Sequence, residues 1–317
     1  MTAQNRPFHF ITSMPHLRQP IEQWRNRLRH IEDLGYHSVA IADHLGDGWS
    51  MDPMTMMTIA AEATTTLRVS TSVLCNDFYH PFFLHRSISN LDVISEGRVT
   101  LGLGAGWRPL DYTVSGVRFD PAPVRVDRLA ESIAVLKGLF AGERFTFEGE
   151  HFRVGDALGA PKPVQWPHPP IMVGGGGRRM LQLGGREADI VGINPPRLTE
   201  HSDPAKMARE ISAEGLREKA EIVRAAATER PDPGAILLQA NLLDVRVQGS
   251  GGSESRSTSG LVDWLGQEAV EKSPLVLDGD VERCIDALLE LRETVGITEI
   301  HLGNDADGVA EIVSRLA

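Results

Sequence analysis

The sequence predicts an α/β protein folded as a (β/α)8 TIM barrel, and three observations carry the prediction. Short apolar, β-branched or aromatic runs recur between turn signals at residues 8–12, 38–42, 68–74, 98–103, 170–173, 189–192, 236–240 and 299–302. The first four begin about thirty residues apart, the length of one strand-plus-helix unit. The segments between them carry helical periodicity, and eight alternating units close a parallel sheet into a barrel. The chain has 317 residues, which suits one such domain spanning 1–317.

The elements follow in order. Ile21, Trp24, Leu28, Ile31 and Leu34 step by three and four, and that helix stops at Gly35. Asp52 before Pro53 is an N-cap followed by proline at the first helical position, opening a helix to residue 63. Helical patterns over 82–94 and 124–140 continue the alternation. Strand four runs through Gly97-Arg-Val-Thr-Leu-Gly-Leu-Gly-Ala-Gly-Trp107 and loses side chains toward its end. Gly102, Gly104 and Gly106 fall at the period of a strand, and no further glycine completes a G-x-G-x-x-G dinucleotide fingerprint. Such a strand end admits another backbone or a flat ligand at close range.

Two segments break the rhythm. An insertion over 107–169 separates strands four and five, and within it 144–153 alternates aromatic and polar residues around Glu148-Gly149, a hairpin pattern. After strand seven, 248–260 is a polar low-complexity stretch read as a flexible linker, with a mobile lid as the alternative.

Composition narrows the function classes. Hydrophobic residues at 41% and charged residues at 24% are those of a soluble globular protein. A formal net charge of −11 argues against a nucleic-acid surface, which needs clustered Lys and Arg. Cys75 and Cys284 lack metal-ligand spacing and read as reduced thiols. Residues 1–10 lack a secretory pattern and no apolar run approaches spanning length, so a cytoplasmic protein without a membrane partner is expected.

In a barrel of this kind, chemistry sits on loops at the C-terminal ends of strands. Strand two ends in Asp43-His44, where a histidine can move protons and an adjacent carboxylate can orient it; the plain alternative is an exposed capping pair. His80, before a proline, and His85, within a helix, are weaker candidates. Strand three ends in Thr71-Ser72-Val73-Leu74, either an ordinary polar pair or a distorted end that supports a flat ring. Strand five runs into Gly174-Gly175-Gly176-Gly177-Arg178-Arg179 and a helix, whose free N–H groups and arginines suit an anion. Four consecutive glycines carry a large conformational entropy cost for a mere connector, which favours a phosphate site.

These strand ends, together with Ala42-Asp43-His44-Leu45, the run from Ile94-Ser-Glu-Gly-Arg-Val99 to Gly104-Ala105-Gly106-Trp107, and Glu187-Ala-Asp-Ile-Val191, carry a resemblance over nearly the whole chain. The sequence resembles the luciferase-like monooxygenase superfamily of flavin and deazaflavin enzymes, nearest to its F420-dependent oxidoreductases. The resemblance implies a luciferase-like barrel that transfers a hydride between F420 and an unidentified small organic substrate. It implies Asp43 and His44 as catalytic residues beside the redox ring, with His44 moving a proton. Ser72 and Val73 would form a non-prolyl cis peptide, or bulge, behind the ring, while Gly104, Ala105 and Gly106 would let the ring lie against strand four. Gly174, Gly175, Gly176, Gly177 and Arg178 would hold the cofactor phosphate, and the insertion would cover the substrate side, with Trp107 and Asp111 in the pocket. The likeness departs at Trp107, where the sugar-phosphate dehydrogenase branch carries an acid; the nearest carboxylate is Asp111, so that branch's substrate does not carry over. Two alternatives remain open: an FMN-dependent monooxygenase served by a separate flavin reductase, and a deazaflavin-binding protein without catalysis. A homodimer is expected from the likeness.

Overall fold

The structure is a computed structural model that describes residues 6–17, 19–46, 48–49, 51–195, 203–248 and 262–317. In chain order the elements begin β1 (His9–Ser13), α1 (Ile21–Asp33), β2 (Ser38–Ile41), α2 (Pro53–Ala63), β3 (Arg68–Thr71), β4 (Leu74–Cys75), α3 (Pro81–Ile94) and β5 (Val99–Gly104). Next come α4 (Pro109–Ser115), α5 (Ala122–Phe140), β6 (Arg144–Glu148), β7 (Arg153–Leu158), β8 (Ile171–Gly174), α6 (Arg178–Glu187) and β9 (Ile190–Gly192). The chain ends with α7 (Pro204–Glu210), α8 (Ala213–Ala227), β10 (Leu237–Asn241), β11 (Asp244–Val247), α9 (Gln267–Glu271), β12 (Val276–Gly279), α10 (Val281–Val295), β13 (Ile297–His301) and α11 (Ala310–Leu316).

The main sheet has the order β3-β2-β1-β13-β10-β9-β8-β5-β4, and β3 also pairs with β5, which gives the (β/α)8 arrangement the sequence predicts. All eight expected strands form. The third is interrupted: β3 stops at Thr71, the Ser72–Val73 peptide is cis, and β4 resumes at Leu74. The short parallel pair β11–β12 is not among the expected strands, because four residues such as Asp244-Val-Arg-Val carry too little pattern to be distinguished from a loop. The low-complexity stretch 248–260 lies, beyond Gln248, outside the described residues. Among the described residues no helix is long and apolar enough to cross a membrane.

The chain falls into two compact units. One comprises Met1–Pro15, His30–Val39 and Gly175–Ala317; the other comprises His16–Arg29 and Ala40–Gly174. In the first, β1 pairs with β13 (Phe10 opposite Ile300), β13 with β10 (Ala240 opposite Ile300) and β10 with β9 (Leu238 opposite Val191), all parallel. Phe10, Ile300, Ala240 and Val191 are buried, so these strands alternate between a sealed apolar face and a more polar one. Gly185 in α6 meets Val223 and Ala226 of α8 so closely that a methyl there would lie 2.7 Å from Ala226 Cβ, and two helices pack nearly backbone to backbone.

In the second unit β5 is buried along its whole length and pairs with β3 (Val69 opposite Val99), β4 (Leu74 opposite Leu103) and β8 (Gly102 opposite Met172). A parallel strand covered on both faces is expected to be this apolar, and sealing each leucine contributes about 1.5–3 kcal/mol. Arg98 enters the strand by donating to the carbonyls of Ala61, Leu67 and Ser95, so it satisfies backbone acceptors where α2 and α3 end.

The predicted hairpin is present as β6–β7 and is latched to α5. Glu131 accepts the backbone N–H groups of Glu150, His151 and Phe152 at 2.8, 2.9 and 3.1 Å, which ties the hairpin tip down. Beneath it Val135, Leu139 and Val154 form a small core with Phe145, Phe147 and Phe152. Burial pushes the Glu131 carboxyl up, but the three N–H bonds outweigh it and hold the pKa below the ordinary glutamate value. A folded pKa below the unfolded one contributes stability present above about pH 4.3 and lost as pH falls through the folded value. Glu131→Ala is therefore expected to cost about 1–3 kcal/mol at neutral pH. Amide exchange should quicken at residues 150–152, and the difference between variant and wild type should shrink toward acid; equal exchange in both would remove the latch.

Candidate active site

The segment after β2 carries Asp43 and His44, and the structure sends the two side chains to different partners. Asp43 is buried; its Oδ2 accepts the Cys75 N–H at 3.1 Å, and the Tyr79 hydroxyl donates to it. Burial raises the Asp43 pKa above the usual carboxylate value, with the Cys75 and Tyr79 bonds working the other way. Its position joins the end of β2 to β4.

His44 instead pairs with Asp111, through Nδ1 and Oδ2 at 2.7 Å. This corrects the expectation that Asp43 orients His44, and it moves Asp111 from the pocket wall to the histidine's partner. Successive side chains leaving a strand project to opposite sides, so adjacent residues are poorly placed to bond each other. Asp111 lies in the first turn of α4, is 4% exposed, and receives further N–H groups on Oδ1 from Leu45 at 3.2 Å, Gly46 at 3.3 Å and Arg108 at 3.3 Å. Burial pushes its pKa up, but the His44 and Leu45 bonds and the Arg108 charge outweigh that and keep it below the ordinary value. The ionised carboxylate only accepts, so Nδ1 carries the proton that it donates and Nε2 is left for other chemistry.

Two tryptophans flank this imidazole. Trp49 is tilted against it at 5.1 Å between centroids, and Trp107 meets it edge-on at 5.8 Å. Trp49 is 39% and Trp107 44% exposed, so both present apolar surface beside a polar centre.

The glycines of β5 turn out to accommodate protein. A methyl on Gly104 would lie 2.7 Å from Val73 Cγ2, one on Gly102 would strike the Thr71 carbonyl, and one on Gly174 would lie 2.9 Å from Val73 Cγ1. Gly106 has φ +74, and a methyl there would run into the Tyr112 hydroxyl and lie 2.8 Å from Cys75 Sγ. The expectation that the missing side chains leave room for a flat ring is corrected in its cause: Val73 and Tyr112 fill that room. Ser72 N donates to the Ile41 carbonyl at 2.8 Å and holds the strand end beside β2.

Behind this wall lie residues that sequence reasoning missed. Arg125 of α5 donates to the carbonyls of Ala105 at 3.0 Å and Gly106 at 3.2 Å, and so clamps the turn after β5. Tyr112 donates to Asp77 at 2.9 Å, and Arg128 pairs with Asp77 at 2.9 Å and with Asp120. Burial pushes the Cys75 thiol up to about 11, so it is an inert packing group. Trp49 had a detectable signal, an aromatic in the loop just after His44; Arg125, some twenty residues from the carbonyls it holds, and Arg128, 51 residues from Asp77, had none. His80 caps α3 by accepting the Phe82 N–H, while buried His85, pushed down to about 4, packs against Phe140; neither joins the site.

Gly174 ends β8, whereas Gly175, Gly176, Gly177 and Arg178 belong to the other unit. There Gly177 is the extended residue before α6, and no side chain caps that helix. Gly177 and Arg178 are exposed, so the first N–H groups of α6 open to solvent beside a cation.

Residues 6–230 match the family model for luciferase-like monooxygenases, and the chain belongs to that family. An F420-dependent glucose-6-phosphate dehydrogenase of Microbacterium testaceum is 36% identical over 185 residues, covering 55% of this chain and 54% of the relative. The F420-dependent hydroxymycolic acid dehydrogenase of Mycobacterium tuberculosis is 32% identical over 164 residues, 50% of this chain and 45% of the relative. The chain thus spans about half the length of the curated relatives it matches. An F420-dependent secondary alcohol dehydrogenase solved with an F420–acetone adduct superposes with a TM-score of 0.78 at 18% identity, over 98% of this chain and 100% of that one. The fold is the luciferase-like TIM barrel.

The packing reason for the β5 glycines is testable by a double-mutant cycle. Gly104→Ala is expected to destabilise by about 1–3 kcal/mol through overcrowding, and adding Val73→Ala should recover much of that loss. Thermal or denaturant unfolding measures the cycle; additive losses would mean that Val73 is not what the glycine accommodates.

Proposed function

We propose that the protein is an F420-dependent oxidoreductase that transfers a hydride between the deazaflavin and a small organic substrate. The observation that carries the reading is the His44–Asp111 pair at 2.7 Å beside Trp49 and Trp107, in a chain of this family whose curated relatives include enzymes named F420-dependent dehydrogenases. The residues present fit the redox ring of such a cofactor: Trp49, Trp107 and half-buried Val73 offer apolar surface for a flat ring. When bound, F420 supplies a two-electron hydride donor or acceptor.

The chain's own residues then have defined tasks. Asp111, held by Leu45, Gly46 and Arg108, fixes the ring of His44 through Nδ1, so Nε2 is the atom that can give or take the substrate proton. Trp49 and Trp107 lay apolar surface beside that imidazole. Asp43, bonded to Cys75 and Tyr79, holds the backbone on which His44 sits. The chain spans about half the length of the glucose-6-phosphate enzymes it matches, so substrate identity is not taken from them.

Mixing the purified protein with F420 and then desalting should leave F420 absorbance with the protein, and the same treatment with FMN should leave little. His44→Ala should keep the F420 and lose about 100- to 10,000-fold in turnover, with Asp111→Asn falling between the variant and wild type. Retention of FMN but not F420 would replace this reading with the FMN-dependent one, and full turnover in His44→Ala would take the histidine out of the mechanism.

A further inference from the structure

We propose that the C-terminal ends of β1, β9, β10 and β13 form a binding site for the acceptor oxygens of an uncharged, carbonyl-bearing molecule. Its assignment as the substrate rests on the proposed oxidoreductase activity; the binding site itself stands on four residues, Ser13, Asn194, Asn241 and His301.

Strand register puts the four on one face. Asn241 lies directly opposite His301, and Ile11 opposite His301 places Ser13 one side-chain step further along the same face of β1. Gly192 opposite Gln239 brings Asn194, two residues on, beside Asn241. All four are partly exposed, whereas one step below them Gln239 is 1% and Glu299 3% exposed. The lower layer is a sealed floor and the upper layer is within reach of a small molecule.

Hydrogen bonds decide what the upper layer offers. The Asn241 backbone N–H donates to Asn194 Oδ1 at 2.9 Å, so the other end of that amide is its NH2 group. The Gly303 N–H donates to His301 Nδ1 at 3.2 Å, so the proton of the neutral ring is on Nε2, which lies 3.5 Å from Ser13 Oγ. The amide of Asn194 therefore presents its NH2 group, and Asn241, whose Oδ1 accepts from Gln239 Nε2 at 2.6 Å, presents its own. The His301 Nε2–H is directed at Ser13 Oγ, which leaves the serine hydroxyl proton to donate, and these three donors are complementary to acceptor oxygens.

Charge narrows the ligand further. None of the four side chains carries a formal charge, and burial pushes His301 down to about 4, so it stays neutral through the physiological range. The ionisable groups facing the site from the same strands are Glu299 and its partner His9, bonded at 2.5 Å. The Glu299–His9 pair beneath the donors supplies no unpaired positive charge to hold an anion, and N–H and O–H donors disfavour a cation. An uncharged carbonyl compound satisfies both conditions, and a phosphorylated or carboxylated one does not.

The test uses the full chain and cyclohexanone as probe, with acetate and inorganic phosphate as anionic controls. Titration followed through the His301 imidazole NMR signals should show a saturable shift with cyclohexanone and none with the anions. Asn194→Asp keeps the acceptor for Asn241 N–H while it replaces the donor by an anion, and it should weaken cyclohexanone binding by about tenfold or more. His301→Phe, checked for wild-type circular dichroism and read by the same ligand's own signals, should do likewise. Absence of a saturable shift, equal binding of acetate or phosphate, or unchanged affinity in Asn194→Asp would each overturn the site. F420 retention is measured on the same samples: retained F420 without cyclohexanone binding sinks this site alone, and cyclohexanone binding without F420 sinks the cofactor reading alone.

Discussion

The proposed ring-side wall depends on a steric fit between Val73 and the glycines of the neighbouring strands. Gly102, Gly104 and Gly174 have no side chains where the Val73 isopropyl group and the Thr71 carbonyl come close, so the strand end at Ser72–Val73 can press against β5 and β8. Close packing of this kind is intolerant of even one added methyl. Once Val73 is seated, Cys75 follows with its backbone N–H against Asp43, which holds the segment from which His44 projects. The clamp by Arg125 on the carbonyls of Ala105 and Gly106 secures the opposite side, because Gly106 alone at positive φ would leave that turn poorly determined.

Electrostatics assigns the two carboxylates near His44 different work. Asp43 and Asp111 are both nearly sealed from water, yet their pKa values move in opposite directions. For Asp43 burial dominates. For Asp111 a histidine, two backbone N–H groups and an arginine converge on one carboxylate and keep the charged form favoured. That makes Asp111 a stable anionic partner for the imidazole of His44, and Asp43 a structural tie. A buried carboxylate held in this way is destabilising to strip of its donors, because each lost partner leaves its charge less compensated.

The two units present different chemistry at their strand ends. The unit with His44 carries aromatic surface, a histidine–carboxylate hydrogen bond and an arginine. The other carries neutral amides, a neutral imidazole and a hydroxyl above a sealed Glu299, together with the open start of α6. Many of the acidic residues behind the formal net charge of −11 stand instead in exposed pairs such as Glu282–Arg315.

Much of the fold was legible because it is local. The eight barrel strands, the N-cap at Asp52, the stop at Gly35 and the hairpin after Arg144 all follow from periodicity and turn chemistry within about a dozen residues. The sequence alone also picked out His44, Trp107 and the glycine-punctuated strand, since their types at a strand end are unusual wherever they occur. It had no means to assign partners. His44 and Asp111 are 67 residues apart, and Asn241 and His301 become neighbours only through the register of β10 and β13. Local pattern therefore determined which residues are candidates, while the tertiary structure decided that Asp111, not Asp43, serves His44 and that Val73, not a ligand, occupies the space above the glycines. The reason is physical: periodicity records which face a residue takes, but hydrogen-bond partners and packing neighbours are set by strand register and helix docking, which bring distant segments within a few ångströms.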